Sequence, residues 1–439
     1  MSHTAEIIAV GTELLLGNIV NTNAQEISQA LSGVGVNVFW HTVVGDNPER
    51  LRQALEIARK RADIILTTGG LGPTYDDLTK QTICETFGKP LVLREDVLEG
   101  IRAYFARNVH LTMPENNRQQ AEFPADCVIF DNPVGTAPGC AFEAEGTHVL
   151  MLPGPPFEML TMLRDYAVPY LRSLSREVIL SHDIMTFGMG ESAIEELMRE
   201  KIARMENPSL ATYARPSEVR LRATAKAENA EAAEALLAPV VRETVAYLGD
   251  IVYGVDVPDL ETACMAALKK KGWTFATAES CTGGRVAERI TALPGASEVY
   301  RGGVVSYWTQ VKADVLGIDS ALLKEYGAVS EPCARAMAEN VRRITGAELA
   351  VSVTGVAGPD ADERGNPVGL VFVALAAPEA TYCRKLDLGK RRRDRIQDMA
   401  SNHAYDLLRR YLAGLPVEPA TPGKRHAHMM MDPYHGRFL

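Results

Sequence analysis

A serine placed where a strand breaks into a helix can serve as a nucleophile, because free backbone N–H groups gather there and can hold an oxyanion. The run WTFATAESCTGGRVAERI puts Ser280 at such a break: WTFATA reads as a strand, Glu279-Ser280 interrupts it, and a helix is predicted from Gly283 or Gly284. Serine still needs a base. The histidine of this region, His403, falls late in a helical pattern, so a Ser-His-Asp arrangement has little support. The segment GGVVSYWTQVK offers a substitute, with Tyr307 ending a strand and Lys312 five residues on. A lysine kept neutral by burial can accept the serine proton, and a tyrosine can relay or position it. On spacing alone, Lys312 reads more often as a solvated helix residue. Cys281 is the rival nucleophile, since a helix N-terminus lowers a thiol pKa, but small buried cysteines are commoner than catalytic ones.

A second constellation lies near the N-terminus. In TGGLGPTYDDLT, Gly69, Gly70 and Gly72 permit a tight turn that brings N–H groups close to an anion, with Pro73 and Thr74 in the same turn and a helix predicted from near Asp76. Asp76 and Asp77 cannot ligate phosphate directly, so a functional role means holding a divalent cation that bridges to it, or orienting water. The bland alternative is that they are first-turn acids stabilising that helix. Thr12, Glu13 and Asn21 follow the first strand and can line the same crevice, and LPGPPFEM places Gly154 and Pro155 after another strand, where they read equally as a structural turn.

The elements that must carry these residues are of two kinds. EIIAV, a helix from about Asn23 to Gly33, VNVFWHTVV, a helix from Pro48 to Arg61 and ADIILTT alternate as βαβ units do, and ligands of such sheets sit at the carboxyl ends of strands. From Leu260 a second α/β rhythm follows, and between them REVILSHDIMTF, an Ala/Glu-rich helix and EVRLRATAK read as a small α+β module suited to scaffold or dimer contact. The predicted class is α/β: two α/β domains with mostly parallel sheets, at 1–173 and 255–415, joined by a small α+β module at 174–254. A tail at 416–439, rich in Pro, His and Met, is predicted disordered, its HAHMMMDPYH run reading as floppy before metal-binding.

With 439 residues, 46% hydrophobic and 23% charged, the chain can bury several ordinary cores. A net charge of -10 makes nucleic acid an unfavoured partner. The seven cysteines form no CxxC pair, which fits a reducing compartment, and no signal-like start or long apolar run directs the chain to a membrane, so a cytoplasmic protein is expected.

Together these motifs carry a resemblance. AESCTGG, GGVVSY with its lysine, GAVSE, TGVAGP, PVG and the GKR turn at 389–391 resemble the CinA C-terminal domain, a nicotinamide-nucleotide amidase module. GTELLLGNIVNTNA, VGDN, TGGLGPTYDDLT, GTAPG and LPGPPFEM resemble the molybdopterin-binding-like domain of the full-length competence/damage-inducible CinA family. The resemblance implies deamidation of nicotinamide mononucleotide to nicotinate mononucleotide and ammonia, with Ser280 as nucleophile, Tyr307 and Lys312 handling protons, and no cofactor. It places Thr282, Gly283, Thr354, Gly355, Ala357 and Gly358 beside the nucleotide, and Arg391 with Arg395, four apart on a helix, at its phosphate. For the N-terminal domain it implies an ADP-ribose pyrophosphatase using a divalent metal (Mg, Mn or Co) at Asp76 and Asp77, and for the whole chain a homodimer. The sequence departs from the family pattern at Trp308-Thr309, at Ala361-Asp362-Glu363-Arg364 and at Lys390. Two other classes stand beside this reading: a non-catalytic nucleotide- or pterin-binding scaffold linked to competence, and a molybdenum-cofactor enzyme.

Overall fold

The computed structural model describes residues 3–109, 112–174, 177–215 and 217–417. Of the predicted tail only Pro416 and Val417 fall among them, with carbonyls that accept from Arg410 and Arg384; the HAHMMMDPYH run lies outside the described residues. The chain divides into two compact units, Met1–Leu180 with Thr224–Leu236 and Ser181–Ala223 with Leu237–Leu439.

A strand covered on both faces is largely apolar, as TAEIIAV and IILTT are, the buried Glu6 of the first being paired with Arg61 at 2.8 Å. These form β1 (Thr4–Val10) and β3 (Ile64–Thr68), with β2 (Asn37–Val44) pairing beside β1. The chain then adds β4 (Leu91–Leu93) and β5 (Glu122–Pro124), which pair only with each other, followed by β6 (Val128–Phe130), β7 (Gly139–Ala144) and β8 (Thr147–Leu152). The main sheet runs β2-β1-β3-β8-β7-β6, parallel as far as β8 and antiparallel beyond it. Successive residues of β1 serve opposite faces: Ile7 packs with Ile27 and Leu31, Ile8 with Leu51 and Leu55. The helices carrying those leucines are Thr22–Ser32, capped by Asn21, and Pro48–Ala58, capped by Asn47 with proline at its first position.

A four-stranded sheet of order β10-β11-β9-β12 follows, from β9 (Val178–Phe187), β10 (Ser209–Arg215), β11 (Glu218–Ala227) and β12 (Val252–Val255). The last sheet is built from β13 (Phe275–Glu279), β14 (Tyr300–Val305), β15 (Leu349–Gly355), β16 (Leu370–Ala376) and β17 (Thr381–Asp387), in the order β14-β13-β15-β16-β17. All five residues of β13 are buried, and it runs parallel to β14 and β15. The expected α/β class holds, with one addition: β16 and β17 return as antiparallel hairpin strands, so this sheet is mixed. Helix Glu331–Thr345 contributes Met337 and Val341 to one apolar cluster of this sheet, and helix Arg393–Leu412 contributes Ile396 and Leu407 to another. The carboxyl ends of β13 and β14 end in register, Glu279 beside Val305, which gathers their loops at one edge.

Candidate active site

The break after β13 is fixed by a carboxylate. Glu279, 1% exposed, accepts from the hydroxyl of Thr282 (2.8 Å) and from the amides of Gly284 (3.0 Å), Val286 (3.0 Å) and Ala287 (2.8 Å), so it caps helix Arg285–Thr291 from the strand that precedes it. Gly283 and Gly284 take left-handed φ of 65° and 101°, which lets the chain turn back over this carboxylate. The strand-to-helix break predicts free helix N–H groups around Ser280. Glu279 takes most of them, while the Ser280 amide donates to Val353 O and that of Gly283 to Ser280 O.

Ser280 and Lys312 meet. Lys312 Nζ lies 2.9 Å from Ser280 Oγ and 2.5 Å from Ser306 O, with the lysine 1% and the serine 9% exposed. Helix Thr309–Asp314 turns this lysine inward, and burial lowers its pKa because water is no longer there to stabilise the ammonium. Cys281 is buried as well, and the loss of water pushes its thiol up to about 12, which leaves it protonated and a poor nucleophile at neutral pH. His403 is driven down to about 4 by burial and packs edge-on against Phe187, with Nδ1 buried and without a hydrogen-bond partner among the described residues.

Other predicted residues fall differently. Tyr307 is 53% exposed and its hydroxyl is met by Arg393, whose other terminal nitrogen donates to Gly358 O at 2.6 Å. Arg391 and Arg395 do not join this cluster. They lie on another side of the helix start, lining a pocket with Ser217, Arg392, Asp398 and Met399. Residues two apart on a helix are about 200° apart around its axis, so one face cannot present both Arg393 and Arg395. Gln397, one turn after Arg393, donates to Cys281 O at 2.8 Å and steadies the loop. The sequence reading missed Arg393 and Gln397; their i, i+4 spacing was the available signal. Thr282 serves Glu279, the Thr354 hydroxyl donates to Ala328 O at 2.7 Å, Gly355 sits in the β15–β16 ladder, and Ala357 is buried in the apolar core.

At the end of β3, Gly69 and Gly70 adopt φ of 106° and 67°, and a Cβ on them would stand 2.1 Å from Val10 O and 2.0 Å from the Thr79 hydroxyl. Only glycine fits there. The predicted helix begins at Thr79, not near Asp76, because Asp77 turns back to accept from the Thr74 amide (2.9 Å) and closes a turn instead of capping a helix. The Thr74 hydroxyl contacts both Asp76 and Asp77, and that bond holds the Asp76 carboxyl below its ordinary pKa. One hydroxyl carries one proton, so it cannot satisfy two carboxylates, and the pair keeps an acceptor that a cation suits. Among the described residues no group of three or more His, Cys, Asp and Glu gathers as a metal site. Two carboxylates completed by substrate phosphate and water are a set that Mg²⁺ accepts.

The remaining N-terminal residues are mostly architectural. Thr12 donates twice to Asp46, Glu13 folds over Gly11, Asn21 caps a helix, and Gly154 O accepts from Asn23. Pro73 O accepts from Asn116 and the carbonyls of Gly72 and Thr74 from Gln119, while Pro155 caps helix Pro156–Met162. Asp46, Asn23, Asn116 and Gln119 were not singled out from the sequence.

Comparison with known proteins gives the lineage. Residues 6–173 match the family described as a probable molybdopterin binding domain, 181–254 the damage-inducible protein CinA KH domain, and 258–412 the CinA C-terminal domain. A CinA-like protein of Desulfovibrio desulfuricans is 46% identical over 417 residues, covering 94% of this chain and 97% of its own length. The chain belongs to the CinA family. A CinA-like protein of Kosmotoga olearia is 43% identical over 412 residues, covering 94% and 99% of the two chains. The solved CinA protein of Thermoplasma acidophilum is 36% identical with a TM-score of 0.35, spanning 37% of this chain and 95% of its own. As in the sequence, no described helix of this CinA chain is long and apolar enough to cross a membrane.

Proposed function

We propose that this CinA chain hydrolyses the carboxamide of nicotinamide mononucleotide, releasing nicotinate mononucleotide and ammonia. The observation that carries this reading is the buried contact of Lys312 Nζ with Ser280 Oγ at 2.9 Å. As a neutral amine, Lys312 keeps one N–H on Ser306 O and turns its lone pair to the serine hydroxyl. Ser280 Oγ attacks the amide carbon as its proton passes to Nζ. The resulting ammonium returns that proton to the leaving nitrogen, ammonia departs, and water activated by the same amine frees the acid and restores the serine. The Thr282 amide, which has no protein acceptor among the described residues, stands next but one to the nucleophile and can hold the oxyanion. Arg393, set between Tyr307 and Gly358, brings a guanidinium to this edge that suits the nucleotide phosphate. Purified protein incubated with nicotinamide mononucleotide tests the proposal directly: ammonia should appear in step with nicotinate mononucleotide, and its absence refutes the reading.

A second activity is favoured by the Thr74 hydroxyl shared between Asp76 and Asp77. These carboxylates would hold a divalent cation, which supplies charge to a pyrophosphate such as that of ADP-ribose. Hydrolysis of ADP-ribose that survives a chelator unchanged rules this out.

A further inference from the structure

Three cysteines that neither proposed activity uses are gathered at one place in the first compact unit. Cys84 and Cys140 are buried in one apolar cluster beside the N-terminal sheet, and Cys127 packs against it. Lys80 is buried next to them, at 9% exposure. Its Nζ donates to Gln119 O (2.9 Å) and Gln120 O (3.1 Å) and stands 4.0 Å from the centre of the Phe123 ring, with no carboxylate in ion-pair contact among the described residues. Burial lowers its pKa to about 8, and the groups that act against that fall are Glu122 and the three thiols. A buried cation facing thiols favours a thiolate among them.

The three differ in access and in company. Cys84, on helix Thr79–Thr86, is buried, and the loss of water pushes its thiol up to about 12. Cys127 is half-buried, just before β6, the edge strand of the sheet. The β6–β7 register sets Ile129 opposite Cys140 and Val128 opposite Ala141, so Cys127 and Cys140 share a face as diagonal neighbours of the antiparallel pair. Their thiols meet. The buried Cys140 thiol donates to Cys127 Sγ and so holds the Cys127 thiol below its ordinary pKa, with Arg94 acting in the same direction. Burial drives Cys140 itself well above the ordinary value. One thiol is thus reachable and readier to ionise, and the other is shielded, protonated and in contact with it, which is the division of labour between an oxidised cysteine and the one that resolves it.

We propose that Cys127 and Cys140 form a redox modification site, at which hydrogen peroxide oxidises Cys127 and Cys140 then closes a reversible disulfide. The Cys127 thiolate attacks one peroxide oxygen and the O–O bond breaks; the hydroxide that leaves takes up the proton the thiol released, giving water and a sulfenic acid. Cys140 Sγ attacks the sulfenic sulfur, the S–OH bond breaks, and the Cys140 proton departs with that hydroxide as a second water. Two thiols lose two electrons and one peroxide gains them. The Lys80 ammonium steadies the Cys140 sulfur as its proton leaves. A disulfide made this way suits a reducing compartment, where such bonds are transient and sense oxidants.

Peptide mapping of the full chain tests this. The protein is treated with a molar excess of hydrogen peroxide, its free thiols are alkylated under denaturing conditions, and the digest is read by mass spectrometry. A cross-linked pair of peptides holding Cys127 and Cys140 should appear, both residues should be lost from the seven free thiols, and dithiothreitol should restore them. Cys140→Ser should leave a sulfenic acid on Cys127 that dimedone traps, Cys127→Ser should form no cross-link, and Cys84→Ala should form it as the parent does. The map of the parent protein stands without any variant, so a serine variant that fails to fold does not hide the result. Seven free thiols after peroxide treatment overturn the proposal, as does a cross-link through Cys84, or a sulfinic acid on Cys127 with Cys140 still free.

Discussion

Lys312, on helix Thr309–Asp314 after β14, is 1% exposed, while the turn after β3 that carries Asp76 and Asp77 also carries Tyr75, 93% exposed. The two sites therefore handle charge in opposite ways. At the first, the fold removes water and so lowers the lysine's pKa, because the ammonium loses its hydration. At the second, the carboxyl of Asp76 stays ionised, its pKa held down by Thr74, and a concentrated negative charge is left for something else to neutralise. One site is closed off by burial, and the other leaves its charge in the open. This also explains why the residues of the first form a compact contact in the protein alone, and those of the second a shared hydroxyl with one proton too few.

Breaking the buried pair should have the largest effect. Ser280→Ala is expected to lower ammonia release at least about a thousandfold, as when a covalent nucleophile is removed. Cys281→Ala should keep most of the activity, because that thiol is pushed up to about 12. A steady-state assay on both variants decides between the two neighbours, and the reverse pattern would transfer the nucleophile to Cys281.

Lys312→Arg comes next, with a loss of about a hundredfold or more, since a guanidinium stays protonated and cannot accept the serine proton. The pH profile of the parent should carry the same signature. Burial lowers the Lys312 pKa, so the free amine is populated at lower pH than for an exposed lysine. Activity against pH should then rise along a limb with an apparent pKa below lysine's ordinary ~10.4. A limb at the ordinary value, or an active arginine variant, would show that Lys312 is not the base.

Much of this was legible before the fold was known, and the failures have physical causes. Ser280 could be read from the strand-to-helix break because a glycine pair admits the positive φ of a tight turn, which ends the strand there. The start of helix Pro48–Ala58 was legible because Asn47-Pro48 is a cap in any context. Burial of Lys312 was not, since it depends on helix Thr309–Asp314 docking at the sheet, a tertiary fact. The arginines were misplaced because Arg391, Arg392, Arg393 and Arg395 are chemically alike, and only the helix start sets which of them turns toward Tyr307. Asp76 looked like a helix start until the Asp77 carboxylate chose the Thr74 amide.

At the exposed site the expected effect is smaller. Asp77→Asn should cut metal-dependent ADP-ribose hydrolysis about tenfold to a hundredfold while leaving ammonia release unchanged, because outer or partial ligand loss typically costs that much. Measuring both activities on one preparation sharpens the comparison, and a parallel loss of both would mean that the turn supports folding rather than chemistry.

Glu279 offers the smallest effect and the finest test, since it acts on stability rather than directly on the reaction. Its buried carboxylate accepts from one hydroxyl and three amides, all donors. Glu279→Gln keeps the shape but replaces one acceptor oxygen with an NH₂ group, which must then face an amide N–H. A buried donor left without an acceptor costs about 1–3 kcal/mol. Denaturant unfolding should therefore show a loss of about that size in the second compact unit. Because the same carboxylate shapes the turn that carries Ser280, turnover should fall as well, while Ser280→Ala should lose activity without the loss of stability. If Glu279→Gln unfolds like the parent, the four hydrogen bonds do not hold the turn, and the backbone path set by Gly283 and Gly284 must be sufficient to place Ser280 beside Lys312.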